Sequence, residues 1–161
     1  GAMPQLEHVG VLIERGDRAD ALVVEVVAIG LGHQLVDHLS GQIDAESLVK
    51  TFMNSEIAKN LDSEYNRMQW AGEEYILEEL IATCGDKLTA KHENFSIDVL
   101  FWMGYIYRYW HFYTKEESSK IYKQAPFETM NVNYLMFHTM DVEMAIDDLK
   151  EIFKQKKRVK K

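Results

Sequence analysis

Arg108 and His111 stand three positions apart inside GYIYRYWHFY, Gly104 to Tyr113, a stretch with six aromatic residues in ten. A guanidinium and an imidazole beside Tyr105 and Tyr107 could grip an anion, and interleaved rings could stack bases. Base-stacking surfaces, however, line a groove with several cations. Arg108 is the only Lys or Arg between Lys91 and Lys115. On a helix Gly104, Arg108 and His111 fall at i, i+4 and i+7, on one side. A neighbouring helix approaching at Gly104, with Arg108 paired to a carboxylate, accounts for that stripe as structure, because a guanidinium is buried only when paired.

The acidic pairs Glu73-Glu74 and Glu78-Glu79 raise the question of a carboxylate-bridged metal site. Such sites in helical bundles use Glu-x-x-His, with imidazole completing the ligand shell. No Glu in this chain has a His three residues later. These glutamates read instead as the wet face of an amphipathic helix, available to a basic partner. His33 and Asp37 share a helix face, but His38 lies about 100° further round, and two ligands do not close a zinc site. Gly30-Leu31-Gly32 lacks the third glycine of a dinucleotide loop and the Lys-Ser/Thr of a P-loop. His138 has no Ser, Cys or Asp at a recognisable catalytic spacing. The expectation is a protein without catalytic residues, cofactor or metal.

Those residues need a scaffold, and the pattern predicts a mainly α fold, a compact multi-helix bundle. Asp44 or Ser47 starts a segment that can continue through SEIAKNLDSEYNRMQWAGEEYILEELIATCG. Ile57, Leu61, Tyr65 and Met68 form one stripe of it, and Tyr75, Ile76, Leu80 and Ile81 another, with Gly85 as the stop. Ser96 caps the aromatic helix, with Asp98 in its first turn. That helix is apolar almost all round, which places it at the centre of the domain. Thr114 and Glu117 have the spacing of a capping box for a helix that Pro126 closes. A second helix runs through Met130, Tyr134, Leu135 and Phe137. Asp141 caps a third, with Met144, Ile146, Leu149, Ile152 and Phe153 inward. The C-terminal half therefore has a helix-turn-helix-like outline.

Composition sets the bounds. The 161 residues suit one domain, and 47% hydrophobic content allows a sizeable core. No apolar run reaches the roughly 20 residues of a membrane span. The single cysteine, Cys84, fits a reducing compartment. With no secretory signal in view, the expected location is cytoplasmic. Gly1-Ala2-Met3 reads as a protease-cleavage scar before a cloned Met. Net charge is −8, which disfavours non-specific nucleic-acid binding. The cations crowd the end: residues 154–161 read as a basic, solubilising tail, with phosphate contact as the sharper alternative.

Residues 1–51 contain no Phe, Tyr, Trp or Asn and one lysine, Lys50, whereas all 18 aromatics follow residue 51. Residues 4–52 are therefore expected to be an extension or fusion of different origin, ahead of a helical domain at 53–153. Within that segment, residues 17–39 read as an interrupted helix, the leading reading, while the β-branched run allows residues 8–30 to form a β-hairpin turning at Gly16-Asp17 instead.

Two binding readings follow. The first is a protein partner held by an acidic and aromatic surface: Glu73, Glu74, Glu78, Tyr105, Tyr107, Arg108 and His111. The second is DNA read by the helix-turn-helix-like segment, with Thr129, Asn131 and Asn133 exposed and phosphates held by Lys120 and Lys123. No positive charge sits on that recognition helix, so protein binding leads; a homodimer stays open. The stretches YIYRYWHFYT, SSKIYKQA and NYLMFHTMD resemble small bacterial helical proteins that accompany toxin genes. That resemblance spans residues 53–157 and implies an antitoxin-like protein that masks a basic toxin partner, sometimes with DNA-binding autoregulation. It implies no catalytic residues.

Overall fold

A computed structural model of the chain describes residues 44–63, 73–89 and 96–160. Within them lie seven α-helices and no strand: α1 Ala45–Met53, α2 Glu56–Asp62, α3 Glu73–Cys84, α4 Ile97–Thr114, α5 Ser118–Gln124, α6 Phe127–Phe137 and α7 Val142–Val159. The mainly α reading holds.

Local chemistry starts each element. The Asp44 carboxylate accepts from the Ser47 amide at 3.1 Å, and Ser55 Oγ accepts from the Ala58 amide at 3.2 Å. Ser96 Oγ caps α4 through the Asp98 amide, while Asp141 accepts from the first-turn amides of Glu143 and Met144. Each bond satisfies a backbone donor that the helix leaves open. α4 ends where Lys115 turns left-handed, with φ at 63°. The expected capping box does not form. Thr114 still belongs to α4, its hydroxyl donates to the Trp110 carbonyl at 2.9 Å, and Glu117 occupies the N-cap of α5.

The aromatic helix is the centre. α5, α6 and α7 all pack on it, and Trp102, Tyr105, Tyr107, Tyr109 and Trp110 are buried along with Met103 and Ile106. Each such ring removes on the order of 150–250 Å² from water. At about 25 cal/mol per Å² that stabilises the fold by roughly 4–6 kcal/mol per ring before ordering entropy is subtracted. Buried hydroxyls are used at the junction of α5 and α6. Tyr107 donates to the Ala125 carbonyl at 2.7 Å, and the Phe127 amide donates to the Tyr122 hydroxyl at 3.3 Å. Burial first, and then the adjacent Tyr122, push the Tyr107 phenol well above its ordinary range, so it stays a neutral donor.

Three expectations change. The compositional step near residue 52 is not a packing boundary, since Leu48, Val49 and Phe52 of α1 are buried in the same core as α4 and α7. The segment begun at Asp44 or Ser47 does not run on unbroken to residue 84: α1 ends at Met53, α2 stops at Asp62, and Ser63 is extended. Residues 154–159 are not a frayed tail but the last turns of α7. Residues 4–43, including the helix-or-hairpin segment, lie outside the described residues.

Asp62, the last residue of α2, places its carboxylate against two other helices. Its Oδ1 lies 2.6 Å from Arg108 Nη1, with the two side chains 6% and 1% exposed. Its Oδ2 accepts from the Ser118 amide at 2.8 Å, and Oδ1 accepts from Ser118 Oγ at 2.9 Å. The carboxylate thus neutralises a cation on α4 and occupies the positive N-terminal end of α5. Asp62→Ala leaves a buried guanidinium without its counter-charge and is expected to cost on the order of 3–5 kcal/mol in urea unfolding. The double change Asp62→Leu with Arg108→Met should recover much of that loss. A single-variant loss below about 1 kcal/mol, the size of an exposed pair, would show that this pair is not a clamp.

Candidate interaction surfaces

The residues that first suggested chemistry point inward. Tyr105, Tyr107 and Arg108 are buried, so this fold does not offer them to a partner. Gly104 is buried on the same helix. His111 is partly exposed, and its Nδ1 lies 2.7 Å from the Glu116 carbonyl oxygen, which makes Nδ1 the protonated nitrogen because a carbonyl only accepts. The same nitrogen is 3.6 Å from Asp62 Oδ1. The stripe of Gly104, Arg108 and His111 is therefore a paired structural seam, as the carboxylate reading expects.

Of the acidic candidates, Glu78 is exposed on α3. Glu73 and Glu74 open that helix, and their side chains lie outside the described residues, as do His33, Asp37 and His38. Among the described residues no group of three or more His, Cys, Asp or Glu side chains is placed to hold a metal ion, and no helix is long and apolar enough to cross a membrane.

The nucleic-acid candidates separate. Thr129 is buried, a correction to its expected exposure. Asn133 donates its amide to the Thr129 carbonyl at 2.8 Å. Asn131 is exposed, and Lys120 and Lys123 are exposed on α5, where they share a groove with α7 rather than with α6.

α6 carries a surface that the sequence reading missed. Its inner side buries Phe127, Met130 and Phe137, and Tyr134 meets Trp102 edge-on at 5.6 Å. Its outer side leaves Val132, Leu135 and Met136 exposed at 68%, 81% and 68%. These three fall at i, i+3 and i+4, one helical stripe. Met144 was expected inward but, at 60% exposure, points out of α7. The available signal was an apolar residue at nearly every position from 134 to 137, more than one face of a peripheral helix can bury.

Behind α5 a second polar knot joins three helices. Glu116 accepts from Trp110 Nε1 at 3.1 Å and from Gln124 Nε2 at 2.7 Å, and it pairs with Lys150 of α7. Lys150 also reaches Gln124 Oε1 at 3.2 Å. No family model matches the chain, and neither the curated proteins nor the solved structures include a significant match to it.

Burial alone would raise the Glu116 carboxyl, but hydrogen bonds from Lys150, Trp110, Gln124 and Thr114 together outweigh it and hold the group at about 2, below the usual 4.5. A carboxyl depressed in the folded state contributes stability above its unfolded value, and that contribution is lost as pH falls. Stability should therefore decline between pH 4.5 and about 2. Glu116→Gln is expected to be less stable at neutral pH and to show a shallower decline across that window, read from urea midpoints. An unchanged slope would remove Glu116 as its source.

Proposed function

We propose that this chain is a non-enzymatic helical interaction protein of the antitoxin-like kind, one that binds and masks a protein partner. The observation that carries the reading is the outer stripe of α6, Val132, Leu135 and Met136. Single exposed apolar residues are ordinary, but three large ones in one helical row form a contiguous patch of the kind that interfaces bury. Exposed carboxylates lie near it in the chain: Glu128 one turn before Val132, then Asp141, Glu143, Asp147 and Asp148 on the first half of α7. Together with the net charge of −8, they favour a partner with an apolar anchor and a basic rim. Glu78 adds to the same negative field.

DNA reading by α6 has weaker support. With Thr129 buried and the Asn133 amide engaged, Asn131 alone remains to meet base edges, and no cation lies on α6.

Co-expression with the proteins encoded beside it tests the proposal. A stoichiometric complex is expected, weakened at least about tenfold by Leu135→Asp with Met136→Asp, a loss of about 1.4 kcal/mol or more. The substitutions replace exposed residues, so the fold should survive, as circular dichroism would report. No complex with any such protein, or one indifferent to the two aspartates, would refute the reading. Concentration-dependent dimerisation abolished by the same aspartates would reassign the stripe to a second copy of the chain.

A further inference from the structure

Five lysines of this acidic chain gather at one place among the described residues. α5 and α7 pack together and enclose a groove of about 390 Å³ lined by Lys120 and Lys123 from α5 and by Lys150, Lys154 and Lys157 from α7. The α7 lysines recur at i, i+4 and i+7, about 5–6 Å apart along the helix, and so share one face. Gln124 and Phe153 complete the lining with Glu116. Glu116 offsets Lys150, which it binds. Lys120, Lys123, Lys154 and Lys157 have no carboxylate within ion-pair distance among the described residues. Lys157 instead rests over the Phe153 ring, 4.7 Å from its centroid. Four like charges held around one groove repel each other in the free protein, so a bound anion relieves a cost that the fold otherwise carries.

We propose that this groove is a binding site for a compact oligophosphate, a run of linked phosphates either free or on a nucleotide. Three features select that chemistry. The cations are all lysines, point charges that can each meet one of the many charged oxygens of linked phosphates. The volume falls at the lower end of the roughly 300–1,000 Å³ of small-ligand sites. A long nucleic-acid strand would extend past the groove over a body whose net charge is −8 and be repelled there, whereas a compact anion meets only the local lysines. Gln124 and Lys150, tied to each other and to Glu116, hold the floor in place before a ligand arrives.

Calorimetric titration of the full chain with tripolyphosphate tests this, with ATP, orthophosphate and a single-stranded oligonucleotide as parallel arms. One-to-one binding of tripolyphosphate is expected, weakening as salt rises and well above orthophosphate in affinity. Lys123→Gln with Lys154→Gln should weaken it at least about tenfold, as should Lys120→Gln with Lys157→Gln. Lys87→Gln, on an exposed turn elsewhere, should not, and Leu135→Asp should leave it intact, separating this site from the α6 surface. ATP matching tripolyphosphate would assign recognition to the phosphates alone, and ATP binding more tightly would add the nucleoside; both support the site. Absence of tripolyphosphate binding at low salt, indifference to the paired lysine changes, or tighter binding of the oligonucleotide would overturn it.

Discussion

A carboxylate and a guanidinium removed from water together constrain the rest of this structure. Each ion alone would carry a desolvation penalty of several kcal/mol, so neither can be buried unless the other is already in place. Asp62 and Arg108 meet that condition at 2.6 Å, and the Ser118 amide and hydroxyl fill remaining acceptor sites of the carboxylate. The consequence is geometric. The last residue of α2 reaches α4, and the first amide of α5 reaches the same carboxylate. Hydrophobic burial around Trp110 and Tyr107 supplies far more stabilisation, but it is non-directional. The ion pair fixes which helices meet and in what register.

Glu116 repeats the arrangement on the other flank of α5, joining α4 and α7 through Trp110, Gln124 and Lys150. The two knots share His111, whose ring lies against the Glu116 carbonyl and near Asp62. The turn between α4 and α5 is thus held on both sides. The lysine groove lies against this turn, with Glu116 and Lys150 as its floor, so the core and one of the two proposed surfaces have a wall in common.

How far the sequence could be read depended on whether the deciding interaction was local. The mainly α class, the caps at Asp44, Ser96 and Asp141, and the central place of the aromatic helix follow from periodicity and short-range chemistry. So did the pairing of Arg108 with a carboxylate, although not its identity, because Asp62 lies 46 residues away and nothing local marks it. Nor did the pattern show that α2 ends at Asp62. The outward side of Met144 and the exposed row of Leu135 and Met136 were not legible for a different reason. An apolar residue is assumed inward until the helix runs out of neighbours, and only packing shows which side of α6 has none. Lys154 and Lys157 read as a tail because composition reports charge without register, and α7 places them on the face of Lys150.

The central claim is that the aromatic helix is scaffold and that binding belongs to the outer faces around it. Native-state hydrogen exchange tests this most directly. Amides from Gly104 to Phe112 should exchange only through global unfolding, with an opening free energy equal to that of the whole domain, while the outward amides of α6 open more easily. Opening of the 104–112 segment at a free energy about 2 kcal/mol or more below the global value would contradict the account. It would make the aromatic helix a movable element instead of the fixed centre.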